Sequence, residues 1–106
     1  MLKLFKYGSE HPITLNLSQY SNNRNLYVGL LTHEDGFPEP WSNLTVNLGI
    51  NCKGNCAFID INNNGKEIVS WLVENNLGKL TGRTQISGYC TYPEFEFDLD
   101  ELNKHI

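Results

Sequence analysis

The groups able to do chemistry in this chain are three Cys, three His and twelve carboxylates, and their spacing decides what they could do together. Glu94, Glu96, Asp98 and Asp100 alternate with Phe95, Phe97 and Leu99. In an extended strand, alternate side chains share one side at about 6.5–7 Å intervals, so the four carboxylates would form a ladder on an apolar backing. Such a ladder can imitate a nucleic-acid backbone and enter a Lys/Arg-lined groove, with an attraction that weakens in salt. The plainer role is a solvated face whose charges discourage edge-to-edge pairing.

A second cluster begins at His33-Glu34-Asp35 and runs through Gly36-Phe37-Pro38-Glu39-Pro40-Trp41. Sequence neighbours on a loop rarely converge as an acid–base pair. A proline-stiffened loop bearing Phe37 and Trp41 suits docking better, because rigid aromatics lose little entropy on binding. The blander alternative, which we weigh above it, folds both rings back as a lid on the core. Asp60-x-Asn62-x-Asn64-Gly65 matches the first half of a calcium loop. The second half fails, since Glu67 stands where an apolar residue belongs and Trp71 where a bidentate Glu is required. A strand-to-helix turn capped by Asx side chains is the better reading.

Cys52, Cys56 and Cys90 are an odd count without a second pair for a metal knuckle, so free thiols and no metal site are expected. A cysteine-dependent enzyme at Cys90 would need a depressed thiol pKa. No nucleophile motif, phosphate-cradling glycine loop or dinucleotide fingerprint is present. The expectation is therefore a protein that is not an enzyme and needs no cofactor.

The elements that would position these groups follow from periodicity. His11–Ser18, Asn43–Leu48 and Glu94–Leu99 alternate with period two and read as half-buried strands. Leu26–Thr32 and Cys56–Ile61 are continuously apolar and read as central strands, with Leu2–Tyr7 and Thr84–Ser87 as weaker candidates. Lys66–Asn76 has helical spacing, with Ile68, Val69, Trp71 and Leu72 on one side. Asn64 and Glu67 resemble a capping box, and Asp100–His105 could add one helical turn. One helix covering one face of a mostly antiparallel sheet gives an α+β fold, a single domain over residues 1–106.

With 106 residues, a net charge of −4 and 19% charged side chains, the chain is neither disordered nor a general nucleic-acid binder with a basic face. Residues 1–53 are neutral, so the whole acidic excess lies in the second half. The N-terminal run is too short and too charged for a signal peptide, and no segment approaches a membrane span, which points to the cytoplasm.

Tyr27-Val28-Gly29-Leu30, Glu39 through Leu48, Asp60-x-Asn62-Asn63, Thr81-Gly82-Arg83 and Ser87-Gly88-Tyr89-Cys90-x-Tyr92-Pro93 together resemble a family of small bacterial proteins. That family is a domain of unknown function common on plasmids, conjugative elements and prophages. The similarity spans Tyr27 to Leu102 and brings no catalytic residues with it. It implies a mobile-element accessory protein, such as an anti-CRISPR-like or anti-restriction inhibitor, that blocks a host protein handling nucleic acid rather than binding nucleic acid or membrane directly. On this reading the partner-binding residues are Glu94, Glu96, Asp98, Asp100, Phe37 and Trp41. The alternatives are a calcium- or small-ligand-binding module at the Asp60–Glu67 turn and a cysteine-dependent enzyme. Reversing Glu94, Glu96 and Asp98 to Lys is expected to abolish partner binding and spare the fold.

Overall fold

The computed structural model describes residues 2–106. Two four-stranded antiparallel sheets and three short helices enclose one core. The first sheet has the order β1-β2-β3-β4, with β1 at Leu2–Lys6, β2 at Ser9–Gln19, β3 at Leu26–Thr32 and β4 at Glu39–Asn43. Its inner face pairs Leu2 with Ile13 and Leu15 with Leu30 across neighbouring strands, as the period-two pattern requires. The second sheet has the order β5-β6-β8-β7, with β5 at Thr45–Val46, β6 at Cys56–Ile59, β7 at Gly78–Ser87 and β8 at Cys90–Phe97. All four residues of β6 are buried, which explains its unbroken apolar run. Phe95 and Phe97 meet edge-to-face at 5.0 Å between ring centroids.

The two sheets correct the expectation of one. The segment Asn43–Leu48 is not a single strand, because the chain changes sheets at Leu44. Leu44 donates its N–H to Val28 O of β3, and its carbonyl accepts from the Asp60 N–H at the end of β6, both at 2.9 Å. A bend that moves a strand between sheets is how such corners are made. Alternation fails there because Leu44 and Thr45 are both buried. Just before the corner, Leu30 pairs with Ser42 and Leu31 with Pro40, so Trp41 is the extra residue of a β-bulge.

The expected helix at Lys66–Asn76 is shorter, α2 at Glu67–Glu74, and it shares its work with α1 at Ile61–Asn64 and α3 at Leu99–Asn103. The apolar stripe is as expected, with Ile68, Trp71 and Leu72 buried. The capping box is not. Asn64 is buried inside α1, and Lys66 occupies the α2 N-cap without a side-chain bond. Asn64 instead joins three segments: its amide donates to Asn43 O and Asp60 O, and its side-chain oxygen accepts from Ser42. The outer edge of β1 is closed by α2, since Trp71 Nε1 donates to Lys3 O at 2.7 Å, and Lys6 Nζ reaches Asn64 O. Past the end of β1, the Leu15 N–H of β2 is taken by His105 O, which α3 and its fully buried Leu102 hold in place.

Gly29 and Gly78 are fixed by close approach. The Tyr27 ring lies across Gly29, and its hydroxyl donates to Asn43 Oδ1 at 2.7 Å. Gly78, at φ +150°, packs against the β8 backbone, where a Cβ would collide with Glu96 O. Gly78→Ala should therefore destabilise the protein by about 2 kcal/mol or more, measured by urea unfolding with an unchanged m-value.

Candidate functional site

The acidic segment does not form a four-rung ladder. Strand β8 ends at Phe97. Asp98 is the N-cap of α3, its carboxylate accepting from the Glu101 N–H at 3.2 Å, and Asp100 lies within that helix, so neither continues the strand. Leu99, expected to face inward, is exposed. The physical reason is local: a cap-forming Asp followed by Leu-Asp-Glu-Leu starts a helix, and once Asp98 caps it the extended spacing is lost.

Glu94 is the larger correction. It is only 6% exposed. Opposite it, β7 inserts Thr81-Gly82-Arg83 between residues paired to Phe95 and Pro93, so three residues face one. Gly82 makes this bulge possible at φ +92°. Thr81 Oγ1 donates to Glu94 Oε1 at 2.8 Å, and Arg83 Nη1 lies 3.6 Å from Glu94 Oε2. The Arg83 guanidinium also lies 5.4 Å from the centroid of the Phe58 ring. One register step away, Lys79 approaches Glu96 at 3.7 Å. The bulge borders a depression of about 380 Å³ lined by Lys53, Cys56, Lys79, Arg83, Glu94 and Glu96 among others. Two of the four expected rungs are thus matched by cations of the same chain. Period-two reading missed this because it assumes an unbroken partner strand.

The Phe37–Trp41 loop divides in two. Trp41, the bulge residue, turns back against the core, with the His11 ring 4.7 Å and the Tyr7 ring 6.3 Å away, centroid to centroid. Phe37 is 74% exposed. It sits between Asp35 and Glu39, and neither of these makes an ion pair among the described residues. Trp41 thus folds back as a lid, while Phe37 stays outside.

The base of that loop holds contacts the sequence left hidden. His11 Nδ1 pairs with Glu34 Oε1, while His33 Nε2 meets Thr14 Oγ1 at 2.6 Å. Ser9 Oγ lies 3.3 Å from His11 Nε2, so Ser9, His11 and Glu34 stand in the order of a nucleophile, base and orienting acid. The same Nε2 lies 3.0 Å from Lys6 O, an acceptor with no proton to give. Nε2 must carry the proton in that contact, and a protonated Nε2 cannot take one from Ser9. The arrangement ties the β1–β2 turn to the loop. Nothing in the sequence links His11 to Glu34; the β2–β3 register brings them together.

At the calcium-like segment, Asp60 acts as a cap. One carboxylate oxygen accepts from the Asn63 N–H at 3.1 Å and the other from Asn63 Nδ2 at 2.7 Å. The turn reading accounts for both oxygens, and Gly65 ends α1 at φ +81°. Cys52, Cys56 and Cys90 are free thiols. Burial, with the Glu94 carboxylate beside it, pushes the Cys52 thiol up from 9.0 to about 11, and Cys56 is raised by the same causes.

A family model described as Domain of unknown function (DUF4313) matches residues 14–106. Neither the curated proteins nor the solved structures contain a match to this chain.

Two outcomes follow from the Glu94 environment. Glu94→Lys should cost about 3 kcal/mol, because it buries an ammonium group beside Arg83, whereas Glu94→Gln keeps the Thr81 bond and should cost about 1 kcal/mol or less. Chemical denaturation of the two variants checks this. Charge reversal at Glu94 is therefore expected to destabilise the fold, where a free ladder would have tolerated it. A raised thiol pKa favours the neutral form in the folded state. The Cys52 contribution to stability is therefore intact below pH 9 and lost as pH rises toward about 11. A pH series of melting temperatures on wild type and Cys52→Ser should diverge only in that window.

Proposed function

The chain belongs to the DUF4313 family, a domain of unknown function, and from that premise we propose that it is a non-enzymatic binding protein of the mobile-element accessory kind. Its partner in this reading is a cytoplasmic host protein that handles nucleic acid, and its action is occlusion of a basic groove, in the manner of an anti-CRISPR or anti-restriction inhibitor. The observation that carries the reading is Phe37, exposed on a loop flanked by Asp35 and by Glu39 at the start of β4, neither of which makes an ion pair among the described residues.

The docking face moves accordingly from the acidic strand to the loop. Glu94 and Glu96 are engaged with Arg83 and Lys79, and a carboxylate already paired offers less to a partner's cations. Asp35 and Glu39 are unpaired among the described residues, and Glu10, near the start of β2 and opposite the end of β3, adds a third exposed carboxylate at the same end of the first sheet. Pro38 and Pro40 restrict the backbone on either side of Glu39 and reduce the ordering cost of docking. Trp41 supports the loop from behind rather than touching the partner, while Asp98 and Asp100 remain outlying charge.

The test is capture from a bacterial lysate by immobilised wild type, Phe37→Ala and the double variant Asp35→Lys/Glu39→Lys. The wild type should retain a nucleic-acid-handling protein that duplex DNA displaces. Phe37→Ala should weaken retention about 30-fold, the effect of losing a central aromatic anchor, and the double variant should abolish it at low salt. Equal recovery by all three proteins sinks the reading.

A further inference from the structure

The distal half of the β7–β8 hairpin projects at the edge of the second sheet. From Thr84 to Pro93 the chain carries no charged side chain, in a protein of net charge −4. Ile86 is 69% exposed, and Tyr89 at the tip is fully exposed. Strand β7 is the last strand of its sheet, and Thr84, Ile86 and Ser87 are all exposed. An open edge without charged guards is what proteins ordinarily avoid.

The hairpin register states which backbone groups are free. Ser87 pairs with Cys90 across the two-residue turn Gly88-Tyr89, with Gly88 at φ +61°. The closing pair of such a turn exchanges both hydrogen bonds, so Ser87 and Gln85 direct their backbone groups toward β8. Thr84 and Ile86 then direct theirs outward. Consistent with this, the Ile86 carbonyl accepts from the Gln85 side-chain amide, at 3.3 Å.

We propose that this edge pairs with β7 of a second copy of the chain, antiparallel about a two-fold axis at Gln85, joining two four-stranded sheets into one of eight. In that register Ile86 and Thr84 exchange main-chain bonds with Thr84 and Ile86 of the second copy, giving four bonds, and β-branched side chains face each other. Arg83 stands opposite Ser87 of the other copy, so no like charges are opposed. That neutrality argues for a second copy: this hairpin lets two acidic molecules meet without bringing carboxylates together. The Thr81–Arg83 bulge ends the flat edge on its proximal side and limits the contact to one short stretch. Association through so small a contact is weak and reversible.

The experiment is sedimentation equilibrium from about 10 µM to about 1 mM, the range in which a small interface is read. The wild type should shift from monomer to dimer, and Ile86→Lys, which changes only an exposed side chain, should remain monomeric with an unchanged melting temperature. In a Cys52→Ser/Cys90→Ser background, Gln85→Cys should form an intermolecular disulfide on mild oxidation, because the two-fold sets those Cα atoms about 4.5 Å apart. A wild type that stays monomeric at about 1 mM overturns the proposal, as does a dimer that survives Ile86→Lys or a Gln85→Cys chain that does not cross-link. None of these readouts depends on the Phe37 loop.

Discussion

Leu44 stands at the junction on which the rest of the molecule hangs. Its N–H is held by Val28 and its carbonyl by Asp60, so one fully buried residue belongs to the hydrogen bonding of both sheets. A chain leaving one sheet inside a core must satisfy its polar backbone on both sides of the bend. Thr45 helps, because its hydroxyl accepts from the Val28 N–H and meets the Tyr20 hydroxyl. The bulge at Trp41 just before the corner presses that ring onto His11, and the segment leading into it leaves Phe37 outside. The exposed loop is a product of how the sheets are joined.

In β2, β3 and β6 the sequence was readable, whereas the Cys90–Pro93 half of β8 lay outside the expected strand. Ile13 and Leu15, Val28 and Leu30, and all of β6 lie in the core as their patterns require. The buried face of α2 was legible for the same reason, since Ile68, Trp71 and Leu72 recur at helical spacing. What escaped were departures from periodicity: the corner at Leu44, the three-against-one bulge opposite Glu94, and the passage from strand to helix at Asp98. Each is fixed by partners distant in sequence, and a one-dimensional pattern holds no record of them.

The same distinction governs the charges. Counting placed the acidic excess in the second half of the chain, and the count is correct. Its meaning changed once Lys79 and Arg83 came into register with Glu96 and Glu94. The carboxylates that flank Phe37, unpaired among the described residues, lie in the first half, which is neutral by count. Of the site residues named from sequence, Phe37 is exposed and Trp41 packs against the core. Glu94 became part of a folded turn.

The bond from the Leu15 N–H to His105 O also shapes how the molecule forms. Strand β2 is complete along that edge only when residues near position 105 have returned to it, and α2 reaches Lys3 through Trp71 across 68 positions. Contacts of such separation make folding slow. During synthesis the first sheet emerges early with one edge still open, and it stays exposed to pairing with other chains until the last helix arrives. The closure that seals this edge of the first sheet is therefore also the step at which its assembly is most vulnerable.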